Sequence, residues 1–140
     1  MFCKAHKKGK LPVELDALKF IVEIDRRGSH DAVYYDCDNP DFEDYVSGKG
    51  FKTALGSFSD ISYIAPQLGV AAVNLSSGYY NAHQLCEYIN RAELENTIEK
   101  VCDMVADAAL ADFPAFEFFD NFYPDDYDFF PLGDEWIFSK

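Results

Sequence analysis

Two short runs of mostly apolar, β-branched residues punctuate the chain, FIVEI over residues 20–24 and VAAVNL over residues 70–75. Their length and composition predict strands in the interior of a sheet, covered on both faces. DAVYY, residues 31–35, reads as a further strand, and residues 52–55 as a short edge strand. After the first run, Asp25-Arg26-Arg27-Gly28-Ser29 breaks the pattern as a loop; after the second, residues 76–81 form a Gly-containing loop. That loop delivers His83 to the start of a helix continuing through Ile89.

Helical spacing appears in three other places. Residues 41–46 follow the turn Asn39-Pro40, carry acidic residues that suit a helix N-terminus, and end at Gly48 and Gly50. Ser59 or Asp60 caps a helix through Ile61, Ile64, Ala65 and Leu68, with Gly69 as its stop. The longest helix starts near Asn90 and runs over residues 92–110, with Leu94, Ile98, Val101, Cys102, Val105 and Ala109 as its core face. Before the first strand, residues 1–11 read as a polar, basic lead-in and residues 12–18 as room for one helical turn. The order strand, strand, helix, strand, helix predicts an α/β domain, a layered sheet with helices packed on it. No internal repeat is visible.

The character changes at residue 112. Residues 112–140 are rich in Asp, Phe and Tyr, with prolines at 114, 124 and 131 and no helical period. The division is therefore a domain over 1–111 and an acidic, aromatic-rich tail over 112–140. Either the tail packs some aromatics back onto the domain, or it folds onto a partner.

Charge narrows the partners. A net charge of −13 argues against nucleic acid and anionic membranes, both of which need clustered Lys and Arg. The one basic patch, KAHKKGK over residues 4–10, is too short to change that. No apolar run approaches the roughly 18 residues of a membrane span, and a charged N-terminus without a signal-peptide apolar region points to the cytoplasm. Cys3, Cys37, Cys86 and Cys102 show no C-x-x-C spacing and read as reduced structural thiols, with Cys37 in a solvated turn. A cysteine enzyme built on Cys86 and His83 lacks a third, orienting group.

In open α/β sheets, ligands collect beyond the carboxyl ends of the strands. Asp25 follows one predicted strand and His83 follows another. If the two strands are parallel neighbours, a carboxylate oxygen and an imidazole nitrogen, both suitable zinc ligands, can converge at one edge.

A longer pattern surrounds them: Ile24-Asp25-Arg26-Arg27-Gly28, Gly56-x-x-Ser59-Asp60, Leu68-Gly69-Val70, and Leu75-x-x-Gly78-Tyr79-Tyr80-Asn81-x-His83-x-x-x-Glu87-Tyr88. Over residues 18–107 this resembles the C-terminal half of the catalytic domain of zinc exopeptidases, the aminopeptidases and related amidohydrolases that use two zinc ions. The resemblance implies Asp25 on one zinc and His83 on the other. It implies a second-shell or capping role for Asp60, and Gly78, Tyr79, Tyr80 and Asn81 along the approach to the metals. Glu87 either orients His83 or is a solvated helix residue. Only 57 residues separate Asp25 from His83, which resembles the branch without an inserted lid domain. The family's first zinc-binding His, bridging Asp and Glu-Glu pair have no counterpart among the 24 residues before Asp25. The expectation is a fragment that needs an N-terminal-half polypeptide to cleave a peptide or amino-acyl substrate. The competing expectation is a non-enzymatic interaction module that uses the tail.

Overall fold

The computed structural model describes residues 17–120. Its sheet has five strands: β1 (Ile21–Arg27), β2 (Asp31–Val33), β3 (Lys52–Thr53), β4 (Ala72–Tyr80) and β5 (Tyr88–Ile89). The spatial order is β1-β4-β2-β3, with β5 pairing the end of β4. β1 and β4 run parallel, Ile21 opposite Ala72 through Ile24 opposite Leu75, whereas β2 lies antiparallel to β4 on its other side. The described residues are thus mixed α/β, with three helices among them packed on the sheet: α1 (Pro40–Gly48), α2 (Asp60–Leu68) and α3 (Arg91–Ala108). Among the described residues no helix is long and apolar enough to cross a membrane.

Successive side chains of β4 point to opposite faces, and this alternation divides the layers. Ala72 packs with Ile61 and Ala65 of α2, while Val73 and Leu75 join Phe42 and Val46 of α1 and Met104 of α3 on the far face. α1 starts where the Asn39 side chain accepts from the Phe42 amide at 3.0 Å and Pro40 supplies a preset first turn. α2 runs from its Ser59 cap to Gly69, which closes it in the left-handed conformation with φ +67°.

The largest core cluster draws on residues beyond 112. Phe116 is buried, lies tilted against Phe42 at 5.1 Å and stacks on Tyr45 at 5.6 Å, while Phe113 meets Phe20 edge-on at 6.1 Å. The backbone follows: the Phe116 amide donates to the Lys19 carbonyl at 2.8 Å, and its carbonyl accepts from Ala71 at 2.9 Å. The first part of the tail therefore belongs to the core, and residues 121–140 lie outside the described residues.

Several sequence expectations are corrected. β1 does not end at Ile24 but continues through Asp25 to Arg27, and β4 absorbs the expected loop, running to Tyr80. Residues 76–78 are polar or small, yet they are buried because α3 covers them. Ser76 Oγ donates to the Arg27 carbonyl at 2.8 Å, and Thr97 of α3 donates to the Ser76 carbonyl at 2.8 Å. No helix begins at His83; residues 81–87 are a turn leading into β5. On α3 the buried positions are Thr97 and Met104, with Val101 partly buried, while Ile98 and Val105 of the expected face are exposed. Gly78 permits the close approach of α3 to β4, where a Cβ would stand 2.7 Å from the Asn90 carbonyl oxygen. Cys37 is buried rather than solvated, and burial pushes its thiol pKa up; Cys86 and Cys102 are exposed rather than core. All three are free thiols.

Candidate functional site

β1 and β4 leave the sheet side by side, and a cleft of about 920 Å³ opens at their carboxyl ends. Its floor is a bulge. The register passes from Ile24 opposite Leu75 to Arg26 opposite Ser76, so Asp25 is an extra residue without a backbone partner in the ladder. Its amide is satisfied by the Asn74 side chain, whose Oδ1 accepts at 3.1 Å. Asn74 is 3% exposed, and its Nδ2 donates to Ser59 Oγ at 3.1 Å and reaches the Tyr35 hydroxyl at 3.4 Å. Ser59 in turn donates to the Glu23 carboxylate. One buried amide thus links β1, β4 and the start of α2.

Three carboxylates share this end of the cleft: Glu23, Asp25 and Asp60 all line it. Burial pushes the Glu23 pKa up, against the lowering effect of its bond from Ser59, and the charges of Asp25 and Asp60 add to the rise. Arg26, next to Asp25 on β1, lines the cleft as well. Its Nε contacts Asp31 Oδ2 at 3.2 Å and its Nη2 donates to the Leu55 carbonyl at 2.9 Å, which ties β1 to the segment leading into α2. That segment forms an apolar rim, with Leu55 and Phe58 exposed beside the mouth.

His83 reaches the cleft from the connection between β4 and β5. Its backbone is left-handed, φ +63°, as is that of Asn81, φ +55°. Such conformations in residues other than Gly cost of order 1–3 kcal/mol and need surrounding support. The support comes from Glu87, whose Oε2 accepts from the His83 amide at 2.9 Å and from the Tyr79 hydroxyl at 2.6 Å. These two bonds, the tyrosine's first, hold the Glu87 carboxyl below its ordinary pKa, and the same contact raises that of Tyr79.

Of the residues singled out in the sequence, Asp25, Asp60, Tyr79 and His83 line one cleft. Gly78 is turned against Asn90 and Leu94 of the α3 start, and Tyr80 bonds Glu93 at 2.6 Å and stacks on Tyr88 at 5.3 Å. Asn81 closes the turn, donating to the Cys86 carbonyl at 3.2 Å. Glu87 stands on neither a helix nor the cleft wall; it bonds the His83 backbone rather than its ring. Cys86 approaches Gln84 at 3.9 Å and makes no bond to His83.

The sequence reading passes over Asn74 and sets Glu23 aside as an isolated residue inside a strand. Both interrupt apolar strand runs, and a polar residue inside a buried strand requires a hydrogen-bond partner. That requirement was the available signal.

The donor chemistry suits zinc only in part. Asp25 offers oxygen and His83 nitrogen, but among the described residues no three His, Cys, Asp or Glu side chains are grouped closely enough to hold one ion. A zinc centre takes three or four protein ligands.

The chain matches no family model, no curated protein and no solved structure.

Proposed function

We propose that this chain is the strand-exit half of a dizinc exopeptidase-like site, with Asp25 and His83 as its two metal-facing groups. The observation that supports this reading most is their placement. Asp25 on β1 and His83 after β4 line one cleft at the carboxyl ends of two parallel, adjacent strands. Asp60, at the first position of α2, lines the same cleft, as the resemblance expects. The substrate in this reading is a peptide or amino-acyl compound, in the cytoplasm, and a polypeptide carrying the remaining ligands and the general base completes the site.

The described residues do not complete it. Two donors bind zinc weakly, so in this reading residues 17–120 need the further ligands and the base before peptide hydrolysis proceeds. What its own residues do is hold the two groups in place. Asn74 pins the Asp25 bulge, and Glu87 and Tyr79 shape the turn that carries His83. Calorimetric zinc titration of the native chain, Asp25→Asn and His83→Ala tests the reading. Weak binding that falls in both variants supports it; affinity equal to wild type in both sinks it.

A second reading, a non-enzymatic interaction module, is favoured by one observation. Leu55 is 94% and Phe58 71% exposed beside the cleft, more apolar surface than a closed site presents. The tail residues that this competing expectation would use lie, from 121 onward, outside the described residues. Leu55→Ser with Phe58→Ser leaves zinc affinity unchanged and abolishes partner capture if this second reading holds.

A further inference from the structure

The turn that carries His83 has almost nothing but hydrogen bonds to hold it. β4 and β5 pair at two positions only, Tyr79 with Ile89 and Tyr80 with Tyr88, and residues 81–87 connect them. Leu85 is fully exposed and none of residues 81–87 is buried, so the turn has no apolar core of its own. Such segments sit at the low end of local stability. Its internal bonds are the Gln84 amide to the Asn81 carbonyl at 3.1 Å, the Glu87 amide to the Gln84 carbonyl at 3.1 Å, and the Asn81 side chain to the Cys86 carbonyl at 3.2 Å. These fold the turn on itself without tying its tip to the sheet.

Glu87 makes that tie. The same Oε2 accepts from the Tyr79 hydroxyl, on a strand anchored by β1, and from the amide of His83. We propose that Glu87, braced by Tyr79, is the positioning residue that fixes His83 at the mouth of the cleft. This inference rests on the reading of His83 as a metal-facing group. Glu87 joins the Tyr79 hydroxyl of the strand to the His83 amide, and the Tyr79 hydroxyl itself also meets the His83 backbone. An ionised carboxylate makes stronger bonds to an amide and a hydroxyl than a neutral acceptor does. Both bonds act on the conformation of His83 and neither occupies its ring nitrogens, so the imidazole stays free for a ligand.

The test uses the full chain, with the ring and amide signals of His83 assigned by their loss in His83→Ala. Glu87→Ala moves the ring signals to the positions of an unstructured peptide and speeds exchange of the His83 amide by roughly tenfold or more. Tyr79→Phe acts in the same direction and less. Glu87→Gln, which keeps an acceptor oxygen, restores part of the wild-type signal. Glu95→Ala, an exposed position on α3 paired only with Arg91, leaves His83 as it was. Ring signals and amide exchange unchanged in Glu87→Ala overturn the inference.

Zinc affinity gives the second arm. Where His83→Ala weakens zinc binding, Glu87→Ala weakens it by roughly tenfold or more, the size seen when groups that orient a metal ligand are removed. A wild-type affinity in Glu87→Ala then overturns the positioning role. Where His83→Ala binds zinc as wild type does, the zinc reading fails by itself, and the role of Glu87 is decided by the ring and amide signals.

Discussion

Asn74→Leu is the substitution that bears most directly on how the cleft is built. Leucine nearly matches the shape of asparagine and keeps the position filled, so the loss is confined to polar contacts. The Asn74 side chain accepts from the Asp25 amide at 3.1 Å and donates to Ser59 Oγ at 3.1 Å; its third contact, to Tyr35 at 3.4 Å, is too long to weigh much. Ser59 retains its bond to Glu23, but the amide of the bulged Asp25 has no other acceptor. An orphaned amide in a partly buried site costs about 1–3 kcal/mol, and the lost bond to Ser59 adds about 1. Burial of the extra apolar surface offsets part of this, leaving a net loss of about 2 kcal/mol. In a chain of this size that lowers the melting temperature by about 8 °C. Urea denaturation with an unchanged slope measures it.

Asn74→Asp separates the bonds from the charge. It keeps the acceptor for Asp25 and loses the donor to Ser59, and it places a carboxylate beside Glu23, Asp25 and Asp60. Burial and like charges raise the folded pKa of that introduced group above its unfolded value. Its deficit relative to wild type is therefore smallest below about pH 4 and grows as pH rises through the folded pKa. Wild-type stability in Asn74→Leu, together with a pH-independent deficit in Asn74→Asp, would refute the account of the floor.

Three further outcomes follow from the fold. Gly78→Ala is strained twice, by φ +70° and by a Cβ 2.7 Å from the Asn90 carbonyl oxygen and 3.1 Å from the Leu94 amide nitrogen, and denaturation registers a loss above about 2 kcal/mol. On α3, Met104→Ala costs about 2–5 kcal/mol, whereas Val105→Ala, at a position 60% exposed, stays within about 0.5, a contrast that fixes the helix's rotation. Lys49 first and Tyr45 second hold the Asp107 carboxyl below its ordinary value, so its contribution is present at neutral pH and is lost as pH falls through the folded pKa. Thermal melts of wild type and Asp107→Asn accordingly differ at pH 7, begin to approach each other below about pH 4, and meet only once pH is below the folded pKa.

What was legible in the sequence was local and strongly marked. Ser59 and Gly69 bracket α2 in the chain as they do in space, and Asn90 opens α3 by accepting from the Ala92 amide at 3.2 Å. Both apolar runs became strands, parallel and adjacent, but only β4 is interior: β1, expected to be covered on both faces, is an edge strand with no buried residue. The misreadings share a physical origin in tertiary partners. Asp25-Arg26-Arg27 looks like a loop because it is charged, yet it is an edge strand beside a cleft, where charge is tolerated. Ser76-Ser77-Gly78 looks like a loop because it is small and polar, yet its hydroxyls donate to the Arg27 and Arg26 carbonyls. The two residues of β5 exist only through pairing with β4, which no window of sequence reveals. The face of α3 was misjudged because Thr97, weakly apolar by composition, is fully buried by its bond to the Ser76 carbonyl.

The placement of Asp25 and His83 at one cleft is tested most directly by mapping zinc onto the amide NMR spectrum of the whole chain. With 25 acidic residues and three histidines, weak zinc contacts elsewhere are the background against which a site must stand out. The account predicts that the first shifts, at the lowest zinc concentrations, fall at Glu23, Asp25, Asp60, Tyr79 and His83 together, and that they vanish in His83→Ala. First shifts on the acidic face of α3, at Glu95, Glu99 and Asp103, with the cleft unmoved, would contradict it.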